Sequence, residues 1–242
     1  QEQELLTSSE VASIIKKDIK AYGFKCHVEL VKNLVSGAMV VNSTKTLKLR
    51  KDAVFSQTLA RALSHHEIGV HMLTTINAAS QPLKFLRLGM PNNTVTQEGL
   101  AILSEYLSAN FDLSRLKNLA LRVLAINSML KQYDFVETFS MLKDTYDMND
   151  ENAFYLATRV YRGGGFTKDY LYLKGFKLMH DYHFAGNDLT NLFLGKCSHP
   201  HIKLLDELIS RKILFPPKFI PKVFQTDIAK DPTLEFIINS LK

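Results

Sequence analysis

The stretch that decides the fold runs Ser64-His65-His66-Glu67-Ile68-Gly69-Val70-His71. It places two histidines and a carboxylate within about one and a half turns of an otherwise apolar helix. The usual zinc-peptidase signature, His-Glu-x-x-His, sets its histidines about 40° apart on one helix face. Here His66 and His71 are five residues apart, or about 140° on an ideal helix. A π-bulge would bring them together, and Gly69 eases that distortion, so the spacing predicts a metal-binding helix with a π-helical turn.

A catalytic zinc ion needs a third protein ligand and one open position. Glu98 is the leading candidate, because it lies 98 − 71 = 27 residues after His71, in the first turn of the next predicted helix. That interval fits the end of one helix, a loop and an antiparallel return. Glu67, next to the first histidine, would then act as the general base that takes a proton from water and passes it to the leaving amine.

Structural explanations of the same residues stay open on spacing alone. A short His-Glu-x-x-x-His pattern arises by chance, and a histidine pair on an apolar helix is more often structural than metal-bound. His65, six residues before His71, competes with His66 for the role of ligand, although the His-Glu adjacency favours His66. Glu98 could be a solvated carboxylate that the helix dipole favours in a first turn.

The periodicity of apolar residues predicts an α+β protein that is mostly helical. Apolar residues at helical spacing predict a helix over 8–22 that Ser8 or Ser9 caps and Gly23 ends. Alternation over 24–50 predicts a small antiparallel sheet of about three strands. Thr94 and Gln97 have the spacing of a capping box at the start of a later helix. The other predicted helices cover 52–79, 94–110, 114–132, 134–148, 150–161, 168–183 and 201–213.

Composition excludes several classes of protein. With 242 residues and 46% hydrophobic residues the chain is neither disordered nor fibrous. No apolar run approaches 18 residues, which argues against a membrane span, and a net charge of +6 is too mild to indicate nucleic acid. Two cysteines cannot form a four-cysteine zinc site and fit a reducing cytoplasm. We expect one cytoplasmic domain over 1–242, of undetermined oligomeric state, forming the catalytic C-terminal part of a longer chain.

Three motifs in order resemble a known family. Residues 66–71 read HEIGVH, residues 97–101 read QEGLA, and residues 159–169 read RVYRGGGFTKD, followed by YLKG at 172–175. Together they are similar to the QEGLA-motif family. Its animal members are microtubule-associated tyrosine carboxypeptidases, and its bacterial members are commonly labelled flavohemoglobin expression-modulating proteins. The resemblance covers at least residues 37–175 and implies a gluzincin-like zinc peptidase domain.

The resemblance also implies roles for individual residues. His66, His71 and Glu98 carry over as the ligands of one Zn²⁺ ion, with Glu67 as the general base. Gly99 would be small so that two helices approach closely. The implied function is a zinc metallocarboxypeptidase that removes a C-terminal residue, tyrosine or another aromatic, from a peptide or protein tail. The alternatives are a non-catalytic zinc-containing regulatory protein and an endopeptidase.

A carboxypeptidase must bind a free carboxylate beside its metal, and cationic side chains do this best. Arg159, Arg162 and Lys168 flank the glycine-rich break at 163–165, and Tyr170 and Tyr172 follow. We expect Arg159, Arg162, Lys168 and Tyr170 to bind substrate, and Tyr172 to donate a hydrogen bond to the developing oxyanion. Arg162 could instead interact with a helix dipole, and Lys168 could lie in a solvated first turn.

Two weaker signals remain. His180 and His183 are spaced for one helix face and could bind a second metal, although such a pair is more often a partly exposed helix face. A strand near 38–42 or 47–49 could present an edge that pairs with an extended peptide, or could belong to a plain core sheet.

Overall fold

The computed structural model describes residues 5–34, 36–162, 167–226 and 231–241. Helices make up 64% of the structure, and small sheets complete it, so the prediction of a mostly helical α+β fold is confirmed. Within the described residues, no helix has both the length and the apolar character needed to cross a membrane.

Helix α1, Ser8–Tyr22, has the predicted bounds. Its cap is Thr7, one residue earlier than predicted, in a capping box with Glu10 in which each side chain bonds to the other residue's backbone N–H. Gly23 ends the helix in the left-handed conformation at φ 78°, which a glycine adopts without strain. The apolar face of α1 packs into the main core.

The three predicted strands form one sheet in the order β2-β4-β3. They are β2 (His27–Val31), β3 (Ala38–Val41) and β4 (Thr46–Arg50). β3 pairs with β4 antiparallel, but β2 pairs with β4 in parallel, so the prediction of an all-antiparallel sheet is wrong for that pair. Alternating side chains report which face of a strand is buried and carry no information about its direction. The order leaves β3 at an edge of the sheet.

A second, two-stranded sheet was not predicted. β1 (Leu5–Thr7) pairs antiparallel with β5 (Val54–Ser56) immediately before the helix that carries the histidines. Three residues are too few for a period of two to be recognised. The predicted helix over 52–79 therefore starts later, at Gln57.

The remaining chain is helical, with short connections. The α-helices are α2 (Gln57–Leu63), α3 (Leu73–Ala79), α4 (Phe85–Leu88), α5 (Asn93–Leu107), α6 (Leu113–Leu130), α7 (Phe135–Ser140), α8 (Asp150–Tyr161), α9 (Thr167–Phe184), α10 (Ile202–Ser210) and α11 (Pro232–Ser240). π-helical segments cover Ser64–Met72 and Met141–Thr145, and 3-10 turns cover Thr190–Leu194, His199–His201 and Lys222–Gln225. Neither α4 nor α11 was predicted.

Helix α5 lies at the centre of the molecule and packs along α9. A Cβ atom at Gly99 would lie 2.3 Å from the carbonyl oxygen of Gly175, and one at Gly175 would lie 2.2 Å from that of Val95. Contacts this short are impossible, so only glycine at both positions lets the two backbones touch. The expected close approach at Gly99 is therefore present, and its partner is Gly175 on α9.

The predicted capping box at the start of α5 is wrong. The N-cap is Asn92, in the left-handed conformation at φ 60°, and it makes no side-chain cap bond. Gln97 points inwards instead: its amide oxygen accepts a hydrogen bond from the Thr74 hydroxyl at 2.9 Å, and its nitrogen donates to the carbonyl of Gly195. Gln97 therefore ties α5 to α3 and to the chain after α9.

Candidate metal centre and active site

The predicted π-helical turn is present over Ser64–Met72. A π-helix pairs residues five apart, so it brings His66 and His71 onto one face, where their ring centroids are 4.9 Å apart. Gly69 lies inside this segment, and a Cβ there would meet the Tyr22 hydroxyl at 3.3 Å. The five-residue spacing is thus accommodated by the backbone as the sequence required.

Helix α5 brings Glu98 to the two histidines. Its Oε2 lies 3.6 Å from Nε2 of His66 and 3.5 Å from Nε2 of His71, and one ligand atom from each residue lies within 4.8 Å of the others. A tetrahedral ion with bonds of about 2 Å needs ligand atoms about 3.3 Å apart. Glu98 is 6% exposed, and its Oε2 is buried without a hydrogen-bond partner among the residues that the structure describes. A metal ion would satisfy that oxygen, so the donor set fits one.

A carboxylate that was not predicted holds His66 in place. Oε1 of Glu105 lies 2.7 Å from Nδ1 of His66, and Arg115 donates to both oxygens of Glu105 at 2.8 and 2.9 Å. This contact fixes the ring and leaves Nε2 directed at Glu98. Glu105 follows Glu98 by seven residues, two helical turns, so a second acidic residue on the Glu98 face was the available signal.

The charges of the cluster favour a cation between the histidines. Burial lowers the pKa of His66, but the hydrogen bond to Glu105 and the nearby carboxylates of Glu98 and Glu67 outweigh this and raise the pKa to about 10. Burial raises the pKa of Glu98, yet the two histidines hold it well below the usual value. Arg115 and His66 likewise lower the pKa of Glu105 against its burial. Both carboxylates are ionised, and a proton or a metal ion supplies the compensating charge.

Lys196, also not predicted, connects the two ligand-bearing segments. Its buried ammonium donates to the carbonyl of His71 at 3.0 Å, the Thr74 hydroxyl at 3.0 Å and the amide oxygen of Gln97 at 3.4 Å. Burial lowers its pKa to about 8, against the opposing influence of the nearby glutamates. Lys196 thus links the end of the π-helical segment to the residue beside Glu98.

Two cavities open on either side of the cluster. The first has a volume of about 470 Å³ and lies along β3 and the start of α5. The second, of about 510 Å³, lies between β5, α2 and α6. His66, Glu67, Arg159 and Tyr172 line both, so the half-buried Glu67 stands where the cavities meet. The two cavities form one cleft through the candidate site.

Lys168 and Tyr172 lie close to the cluster, as expected. The ammonium of Lys168 is 3.6 Å from Oε1 of Glu98 and 6.0 Å from the ring centroid of Tyr172. Tyr172 is 9% exposed, and its ring lines both cavities. Both side chains come from the first turns of α9, which the glycine contact presses against α5.

The other three residues expected to bind substrate have different positions. Arg159 lines both cavities, but its Nε donates to Oδ1 of Asp169 at 2.5 Å. Arg162 caps α8 and lines the first cavity. Tyr170 lines neither cavity: it is 40% exposed and packs against Lys174. It is two residues from Tyr172 and so points about 200° away around the helix. The glycine-rich break at 163–165 lies outside the described residues.

Among the described residues, the second histidine pair, His180 and His183, is not part of a group of three converging donors. Both ring nitrogens of His180 already have partners, Nε2 at 3.1 Å from Glu235 and Nδ1 at 3.3 Å from Asp181. The His183 ring packs edge-on against Phe224. Within the part of the chain that the structure describes, His66, His71 and Glu98 are the one group of three converging donors.

The strand expected to offer an edge is β3. Its residues Ala38–Val40, with Asn42, line the first cavity, and within the described part of the chain its outer edge has no neighbouring strand. The edge therefore faces the cleft beside the ligand-bearing helix. The alternative at 47–49 is wrong, because β4 is the central strand and both its edges are paired.

The structure is thus that of an α+β protein with a candidate metal centre. Two histidines on one helix and a third donor on a later helix form this centre beside an open cleft. The family model described as microtubule-associated tyrosine carboxypeptidase, MATCAP, matches residues 1–242, the whole chain. The chain belongs to this family, as its motifs indicated, and the family's description supports a carboxypeptidase-type hydrolase. None of the curated proteins compared with the chain matches it.

Proposed function

We propose that the protein is a zinc-dependent carboxypeptidase that removes a C-terminal residue, tyrosine or another aromatic, from a peptide or protein tail. The observation that carries the proposal is the convergence of donor atoms from His66, His71 and Glu98 at the wall of the first cavity, where Oε2 of Glu98 is buried without a hydrogen-bond partner among the described residues. The family supplies the reaction class. The third ligand on a later helix is the gluzincin pattern, which we extend to this chain as part of the proposal.

Two imidazole nitrogens and one carboxylate oxygen are a donor set that suits zinc. When bound, a zinc ion would polarise the scissile carbonyl and lower the pKa of water at the site. Glu105 would keep His66 in the tautomer whose Nε2 is free to bind, because its carboxylate accepts the proton on Nδ1.

Glu67 is the proposed general base. It is half-buried, follows the first histidine directly, and lines both cavities at their junction. From there its carboxylate can take a proton from the attacking water and deliver it to the leaving amine. A base in this position typically contributes about 10²- to 10⁴-fold to the rate.

Tyr172 and Lys168 are the proposed partners of the developing negative charge. Burial, followed by the charge of Glu98, raises the pKa of Tyr172, so its phenol stays protonated and can donate a hydrogen bond. Lys168 adds a positive charge beside it. Together they would act as an oxyanion hole that is already in place before substrate binds.

The first cavity is the proposed path of the peptide. An extended chain can add to the free edge of β3, with main-chain hydrogen bonds giving affinity that does not depend on sequence. Arg162 and Lys168 lie on the same cavity and would attract acidic residues of a tail, while Arg159 lies at its inner end.

The test compares Glu67→Gln with Glu151→Gln, an exposed carboxylate on α8. Both variants are loaded with zinc, and cleavage of a C-terminal peptide library is read by mass spectrometry. We expect Glu67→Gln to keep its metal and lose cleavage by about 10²-fold or more, and Glu151→Gln to match the wild type.

Each alternative function has its own outcome in that experiment. If the zinc-loaded wild-type protein cleaves no library member, the result supports a non-catalytic regulatory function instead of an enzymatic one. If peptides with amidated C-termini are cleaved as fast as free acids, the protein is an endopeptidase. If the Glu67→Gln variant still cleaves peptides at the wild-type rate, Glu67 is not the general base.

A further inference from the structure

Three arginines line the second cavity, and among the described residues two carboxylates, Glu105 and Asp169, form ion pairs with them. Glu67 and Asp112 also line the cavity, but neither forms an ion pair with an arginine among the described residues. Arg115 donates to both oxygens of Glu105, and Arg159 donates to Asp169 at 2.5 Å. Among the described residues, the ion-pair partner of Arg122 is the same Asp169, at 3.8 Å. That distance is too long for a hydrogen bond, and Arg159 already occupies the carboxylate oxygen concerned. One cation therefore lacks an anion of its own.

The fold holds Arg122 in this position. Arg115 and Arg122 are seven residues apart on α6, two turns, and so project on the same helix face towards the cavity. The guanidinium carbon of Arg122 lies 5.1 Å from the ring centroid of Tyr172, a cation–π contact. Its side chain is 19% exposed. Burial, followed by the charges of Arg115 and Arg159, lowers the pKa of Arg122, so an additional anion would stabilise this group.

The side of the cavity formed by β5 and α2 carries an apolar surface. Phe55, Ala62 and Leu63 line it beside the polar Ser56 and Thr58. A cavity of about 510 Å³ lies within the size range of small-molecule sites. It therefore combines an apolar surface for a large side chain with one unbalanced guanidinium, and it adjoins Glu67.

From this arrangement we infer that the second cavity receives the C-terminal residue of the substrate and that Arg122 binds its carboxylate. The inference rests on the proposed carboxypeptidase activity and assigns the two ends of the cleft. The scissile bond lies at Glu67, the terminal residue lies between Phe55 and Arg122, and the preceding residues run along β3. The carboxylate is held away from Arg162 and Lys168, which line the first cavity.

The experiment measures binding without turnover. In the Glu67→Gln background, loaded with zinc, fluorescence anisotropy gives the dissociation constant of an N-terminally labelled octapeptide ending in tyrosine, as the free acid and as the amide. We expect the free acid to bind more tightly, and Arg122→Ala to weaken its binding about 10- to 100-fold while leaving amide binding nearly unchanged. Lys117→Ala, an exposed cation on the same helix, serves as the matched control.

Two further variants, Arg122→Lys and Arg162→Ala, test whether Arg122 is the residue that binds the carboxylate. Arg122→Lys retains the charge but loses the two-pronged geometry, so it should recover part of the preference for the free acid. Zinc content and thermal unfolding of each variant show that it is folded. If Arg122→Ala keeps the full preference, or if Arg162→Ala abolishes it, the inference is wrong. Loss of cleavage in Glu67→Gln with an unchanged preference in Arg122→Ala would overturn the inference alone and leave the carboxypeptidase standing.

Discussion

In the described part of the chain, two buried clusters pair a histidine with a glutamate, and one of them has the geometry of a candidate metal site. At His180, which is 2% exposed, both ring nitrogens have partners, Glu235 and Asp181. At His66, Glu105 bonds to Nδ1, while Nε2 lies 3.6 Å from Oε2 of Glu98, beyond hydrogen-bond distance. The difference, among the described residues, is a ring nitrogen without a hydrogen bond and a carboxylate oxygen without a hydrogen-bond partner.

The surroundings of the two clusters differ in the same way. His180 packs against the rings of Tyr106, Phe176 and Phe184, which makes it part of an aromatic core. His66 lines both cavities and can be reached by substrate. Histidine spacing on a helix therefore does not distinguish a candidate metal ligand from a core residue. What distinguishes them is whether donor atoms from several residues converge beside an open cleft.

The largest effect is expected from removing one ligand. His71→Ala leaves two donors, so we expect zinc to be lost and peptide cleavage to fall to the level of the uncatalysed reaction. His180→Ala should keep both zinc and cleavage. Elemental analysis of the purified proteins and a peptide assay check this. A His71→Ala protein that keeps its full zinc content would mean that His71, like His180, is not needed to bind zinc.

Removing the metal should destabilise only the protein that binds it. A metal present at 100 times its dissociation constant adds about 2.7 kcal/mol of unfolding free energy. Stripping zinc from the wild type with a chelator should therefore lower its melting temperature, and His71→Ala should not respond. Calorimetry with and without chelator measures the difference. An equal shift in both proteins would place the stabilising metal elsewhere.

A smaller effect should follow from the glutamate behind each histidine. Glu105→Gln weakens the orientation of His66, so we expect metal affinity to fall by about 10- to 100-fold. Glu235→Gln, the corresponding change behind His180, should leave metal affinity unchanged. Competition titration against a chromophoric chelator measures both. If the two variants bind metal equally well, Glu105 does not support the site.

The smallest effect concerns the stability of the aromatic core. His180→Ala removes hydrogen bonds to Glu235 and Asp181 from a buried position, which we expect to lower the unfolding free energy by about 1–3 kcal/mol. Urea unfolding of the zinc-loaded protein measures it. A drop in zinc affinity as large as that of Glu105→Gln would show that the clusters are coupled.

The sequence predicted the π-helical turn because the information for it is local. A five-residue histidine spacing has one regular backbone solution, the π-helix, and the structure has it over Ser64–Met72. The bounds of α1 and α8 followed from caps and periodicity in the same way. The parallel pairing of β2 with β4 did not, because strand direction leaves no mark in a short alternating pattern.

The residues that support the site were missed because they come from distant parts of the chain. Lys196 contacts the carbonyl of His71 from 125 positions away. Arg115 and Arg122 belong to a helix with no motif, and their role follows only from the carboxylates that the fold places beside them. Tyr170 is close to Tyr172 in sequence but lines neither cavity, because two residues along a helix point to different sides.

The measurement that tests the central claim most directly is anomalous X-ray scattering from a crystal of the zinc-loaded protein, with data collected on both sides of the zinc absorption edge. The account predicts one strong anomalous peak within about 2 Å of Nε2 of His66, Nε2 of His71 and Oε2 of Glu98, and no peak at His180. A fully loaded protein whose peak lies away from these three atoms would contradict it.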